Sequence, residues 1–199
     1  MLNELIGAVI QVVIFALIPV IIWFITARKK ETFFYWIGFR RPAQGKWLKT
    51  VFITVVLAAI YIMLTNLSVR ILPDGVTTAG AQFAGMGASA LPAVFIYAFV
   101  RTALSEEILF RGFILKCVER KFGFAMGNTV QAFLFGLMHG VPFGLATGSV
   151  WAFLLLTMLP GLFGAYMGWM NEKKFGGSII PSWILHGCMN FMTAIMSLM

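Results

Sequence analysis

Glu106 and Glu107 stand side by side in the stretch SEEILFRG, residues 105–112, with Arg111 four positions after the second glutamate. The sequence around them is almost wholly apolar. On a helix, neighbouring residues diverge by ~100° at ~3.6 residues per turn, so the two carboxylates face different surroundings. Glu107 and Arg111 are four apart with the acid first, the favourable order for an ion pair that holds a helix in place. Glu106 falls beside Leu109, Phe110 and Phe113, with no cation on its own face. A carboxyl group in such a setting favours its neutral form and can trade a proton.

Two other stretches could join it. In FLFGLMHG, Phe135 and His139 are four apart on one face, which Asn128 and Gln131 extend. In SWILHGCMN, the residues Ser182, His186 and Asn190 are spaced four and four, a polar stripe turned towards other helices. Together these are parts for hydrolysing an amide. Glu106 would take a proton from water, and His139 would help to hold that water. His186 and Asn190 would donate to the developing oxyanion, a role worth ~2.7–4 kcal/mol per donor. A serine triad is disfavoured, because no G-x-S-x-G turn is present and Ser105 has no base placed for it. Zinc stays open. There is no H-E-x-x-H, but Glu106, His139 and His186 could supply two histidines and a carboxylate from separate segments. That set would remove Glu106 from service as a base, so no metal is assigned and the cofactor is left unknown.

Such groups need elements to position them, and composition says what those are. Of 199 residues, 60% are hydrophobic and 11% charged, where a soluble chain carries ~25% charged residues. Mean hydropathy is +0.92. Long uncharged runs without alternation predict an all-α, polytopic transmembrane bundle forming one domain over 1–199. Six spans are expected, at roughly 5–27, 51–68, 89–115, 124–141, 149–170 and 178–198. The third is expected to run on as one long helix. The first run carries Glu4 rather than a positive leader and is too long for a signal peptide, so it reads as a retained span.

The net charge of +8 is a topology signal rather than a nucleic-acid footprint. Twelve of the fifteen basic residues fall in alternate inter-span loops: Arg28 to Lys49, Lys116 to Lys121, and Lys173 with Lys174. The positive-inside rule makes these loops cytoplasmic and puts both termini outside. Trp23, Trp36, Trp47, Trp169 and Trp183 are expected as a belt near the same interface. Residues 31–49 could lie partly along that surface, and the Gly- and Ala-rich loop 69–88 falls on the opposite side with Arg70. Cys117 and Cys188 lack metal spacing and are expected as free thiols. Glycine pairs at 123/127, 136/140 and 164/168 would let helices approach closely.

EEILFR, FLFGLMH and HGCMN, in that order and one per span, resemble the EExxxR, FxxxH and HxxxN signature of the CAAX-protease and bacteriocin-processing family of intramembrane proteases. The resemblance covers about 89–195. It implies that Glu106, His139, His186 and Asn190 are catalytic, with Glu107, Arg111 and Phe135 in support. It also implies an integral membrane endopeptidase, in a family often labelled metalloprotease, acting on a peptide or protein substrate that could be lipid-modified, in contact with membrane lipids. Small relatives are associated with peptide maturation and bacteriocin self-immunity, which points to a prokaryotic plasma membrane. Two other readings remain: a non-catalytic immunity or partner-binding protein, and a proton-coupled carrier, which the lack of internal repeats disfavours.

Overall fold

The structure, a computed structural model, describes residues 1–43, 45, 47–71 and 79–198. It contains helices and no strand among the described residues. Among the described residues, five helices are long and apolar enough to cross a membrane. They are α1 (Leu2–Thr26), α3 (Leu48–Ile71, its span ending at Ser68), α4 (Ala88–Phe122), α5 (Phe124–Thr147) and α6 (Val150–Lys174). A short α2 (Phe33–Trp36) follows the first span. The last helix, α7 (Ile180–Leu198), has 19 residues, ~28 Å at a rise of ~1.5 Å per residue. It carries Ser182, His186 and Asn190 and is not one of the five. Of the expected loop 69–88, residues 72–78 lie outside the described residues, as does Lys46, while the helix runs on to Ile71 and Ala79–Phe83 forms a short 3-10 helix.

α4 carries the first motif, and most of it is not a simple α-helix. Ile96–Leu104 and Ile108–Leu115 are wound as π-helix, with Ser105–Glu107 between them. A π turn bonds residues five apart and leaves carbonyls less well served, a feature frequent at functional sites. Two hydroxyls take up those carbonyls. Thr102 Oγ1 lies 3.0 Å from both Tyr97 O and Ala98 O, and Ser105 Oγ donates to Arg101 O at 2.5 Å. From the last helix, Trp183 Nε1 donates to Phe99 O at 2.7 Å. The ring N–H of the half-buried Trp183 thus points into the bundle, and Trp36 is buried.

α5 and α6 form the most extensive helix pair. Only Gly148 and Ser149 separate them, Gly148 in the left-handed conformation and Ser149 capping α6 through Ala152 N. Gly136 and Gly140 of α5 lie against the backbone and side chain of Thr157, so a Cβ at either would collide. Gly164 and Gly168 instead make room for the Arg111 guanidinium and for Asn128 with Gln131. Gly123 has no neighbour and a φ of +83°, and it separates α4 from α5.

At the basic end, Lys116 pairs with Glu172 at 2.6 Å and donates to Gly177 O at 2.9 Å. Arg40 reaches Gly176 O and Arg120 reaches Trp36 O. Gly38, at φ +80°, sits against Gly177 O, where no side chain fits. The loops that carry most of the basic residues are thus tied together at one end. Cys117 and Cys188 are free.

Candidate active site

Glu107 is held from three directions. Its Oε1 lies 3.0 Å from Arg111 Nη1 on its own helix and 3.1 Å from His186 Nδ1 on α7. Its Oε2 accepts from Ser182 Oγ at 2.5 Å, and Ser182 in turn accepts from Asn171 Nδ2 of α6 at 2.7 Å. Both Glu107 and Arg111 side chains are 0% exposed. A buried charge of this kind is tolerated only when it is paired and hydrogen-bonded. Arg111 also lies flat over the Phe135 ring of α5, 4.1 Å from its centroid, a cation–π contact in a desolvated place. Phe135 packs further on Phe110, His139 and His186.

This arrangement fixes the tautomer of His186. A carboxylate paired with a guanidinium can only accept, so Nδ1 of His186 carries the proton. Its other nitrogen, Nε2, faces Glu106 Oε2 at 3.7 Å. The neutral ring therefore presents a lone pair there and donates from Nε2 only when doubly protonated. The expected role of His186 as a simple donor narrows to its imidazolium form.

Glu106 has no cation on its own helix face, and its histidine comes from α7. The residue is 7% exposed, and its Oε2 has no hydrogen-bond partner. It lines a cavity of about 230 Å³ with His139, His186, Asn190, Thr102 and Tyr61, walled by α3, α6 and α7. Water occupies ~30 Å³ in the liquid, so the cavity has room for several waters or a side chain. His139 Nδ1 sits 2.8 Å from Phe135 O. A carbonyl accepts, so Nδ1 is the donor and Nε2 keeps its lone pair. Asn190 Nδ2 donates to Thr102 Oγ1 at 2.8 Å, which leaves its second N–H and its carbonyl oxygen for other partners.

All the residues singled out by spacing on α4, α5 and α7 thus meet, with two exceptions. Asn128 and Gln131 bind the backbone of α6, at Ala165 O and Gly164 O, and serve the α5–α6 contact instead of the cavity. Glu106, His139 and His186 share the cavity, but the described residues contain no group of three placed to hold a metal ion. Each histidine already spends Nδ1 on a fixed acceptor.

Four contributing residues escaped sequence reasoning. Thr102 and Asn171 orient Asn190 and Ser182, and Glu4 and Gln11 reach α4 from α1. Arg101 Nη1 pairs with Glu4 at 3.0 Å, and Arg101 Nε lies 3.4 Å from Gln11 Oε1. The signal was Arg101 itself, a cation within a span with no acid on its own helix face. Such a residue asks for a partner elsewhere.

A polytopic helical bundle whose buried glutamate and histidines border an internal cavity defines an integral membrane protein. Residues 88–192, which are α4 to α7 less its last turns, match the family model "Type II CAAX prenyl endopeptidase Rce1-like". The match spans more than half of the chain, which belongs to this family of membrane proteases. No curated protein and no solved structure matches the chain.

Proposed function

We propose that the protein is an intramembrane endopeptidase in which Glu106 activates the attacking water. The observation that carries this reading is the Glu106 carboxylate, whose buried Oε2 is unpartnered and borders the cavity shared with His139, His186 and Asn190. A water between Glu106 and the free Nε2 of His139 would lose its proton to Glu106 as its oxygen joins the peptide carbonyl carbon. Glu106 then passes that proton to the departing amine, so water is added across the C–N bond. The second N–H of Asn190 and a protonated His186 Nε2 are the groups available to the oxyanion. Glu107 keeps His186 oriented and its Nδ1 protonated. The loop charges support a cytoplasmic setting for the basic end.

The substrate class proposed from the family is a peptide or protein, with a lipid-modified C-terminal segment as the first candidate. The test uses purified protein in micelles with an internally quenched peptide, farnesylated and unmodified, and product identification by mass. Wild type is expected to cleave at one bond, and Glu106→Gln and His139→Ala are expected to lower cleavage by about 10²-fold or more while remaining folded. Wild-type rates in either variant would sink the mechanism. Metal-stripped protein is expected to retain its rate. A loss restored by Zn²⁺ would reassign Glu106, His139 and His186 as ligands.

A further inference from the structure

The cavity is not the only space that reaches Glu106. A second one, a groove of about 530 Å³, lies between α1 and α5 and is lined by Gly7, Gln11, Arg101, Glu106, His139 and Phe143 among others. Cavity and groove share Glu106, His139 and Phe143, so these residues form the partition between them. A polar stripe runs along the groove in an otherwise apolar wall. Arg101 pairs with Glu4, its Nε meets Gln11, and Gln11 Nε2 lies 3.4 Å from Ser105 Oγ beside Glu106. The Arg101 side chain is 32% exposed, and its Nη2 makes no hydrogen bond to the described residues.

Arg101 lines the same groove as Glu106, five residues before it on α4. In an α-helix, residues five apart diverge by ~140°. Arg101 sits in the π-wound Ile96–Leu104, whose wider turns reduce that divergence, and Glu106 in the α-helical Ser105–Glu107 that follows.

A peptide bond can be attacked only where the substrate is unwound, and an extended strand exposes its N–H and C=O groups. Away from water each unsatisfied group costs several kcal/mol, so a site within the membrane must supply partners for them. We propose that the groove holds the extended substrate segment adjoining the scissile bond, with Arg101 and Gln11 as substrate-binding residues that hydrogen-bond its main-chain oxygens. This rests on the endopeptidase reading above. Gln11 lies on α1, outside the segment matched by the family model, so this part of the site is supplied by the chain's own N-terminal helix.

The test measures cleavage of the same quenched peptide by Arg101→Gln. A hydrogen bond to a charged group is worth enough for KM to rise about tenfold, with kcat within about threefold of wild type. Arg101→Gln strands Glu4, so the Glu4→Gln/Arg101→Gln double variant is measured beside it and is expected to show the same KM. Replacing single amides of the peptide by esters weakens one carbonyl acceptor at a time. At one position near the scissile bond, the KM penalty seen with wild type should vanish in Arg101→Gln. Binding of the uncut peptide to Glu106→Gln, with and without Arg101→Gln, supplies a readout independent of turnover. An unchanged KM and an unchanged affinity would overturn the proposal. Affinity that depends on Arg101 in a protein that cuts nothing would overturn the endopeptidase reading and leave the groove as a peptide site.

Discussion

Glu106 and Glu107 are consecutive residues of one helix, yet they occupy opposite kinds of place. Glu107 lies in a closed knot where Arg111, Ser182 and His186 occupy its oxygens and Asn171 holds Ser182 from behind. Glu106 lies at an open face, with one oxygen unpartnered and two hollow spaces against it. The same chemical group is structural on one side and available on the other. The difference comes from the ~100° between them, which hands one carboxylate to the packed interface of α4, α6 and α7 and leaves the other in a gap. His186 joins the two regions, with Nδ1 on the closed side and Nε2 on the open one.

That contrast can be broken from either side. The largest effect is expected from Glu106→Gln, which should lower cleavage by about 10²–10⁴-fold, the range for a general base, while leaving the thermal midpoint unchanged. Glu107→Ala should act on the fold itself, and through His186 on cleavage as well. It strips Arg111 of its partner and should destabilise by about 3–5 kcal/mol, read as loss of folded protein on heating in detergent. A Glu107→Ala/Arg111→Met double variant should recover much of that stability, since an apolar pair can replace a buried ion pair. Ser182→Ala removes one donor from Glu107 and leaves Asn171 unpaired, an expected cost of about 1–3 kcal/mol. The smallest effect belongs to Thr102→Val. It frees the Asn190 amide and should cost about 1 kcal/mol in stability, with a fall in kcat if Asn190 serves the oxyanion. Equal stability losses for Glu106→Gln and Glu107→Ala would erase the distinction between the two sides.

Much of this could be read along single helices. Arg111 follows Glu107 at the spacing that an ion pair requires, and the stripe Ser182, His186, Asn190 announces a face turned inward. What could not be read is how far each helix is rotated about its axis and how deep it sits. Spacing brought His186 to the glutamates but could not say that Nδ1 would settle on Glu107. Asn128 and Gln131 continue the face of His139 in sequence, yet Gly164 and Gly168 bring the α6 backbone close enough to claim them. The π winding of α4 was hidden as well, because wide turns depend on hydroxyls such as Thr102 Oγ1 finding the loosened carbonyls. Glu4 and Arg101 are 97 residues apart, and only the packing of α1 on α4 brings them together.

The two-residue turn between α5 and α6 bears on how the molecule comes into being. Neighbours in the chain, with glycine faces already fitted to one another, can enter the bilayer as a finished hairpin that presents His139 before the rest is in place. α7 follows them in synthesis and brings Ser182, His186 and Asn190 with it. Until it docks, Glu107 has Arg111 but neither its serine nor its histidine, and Glu106 faces an incomplete hollow. The cavity and the closed knot beside it are therefore complete only once this late helix has docked.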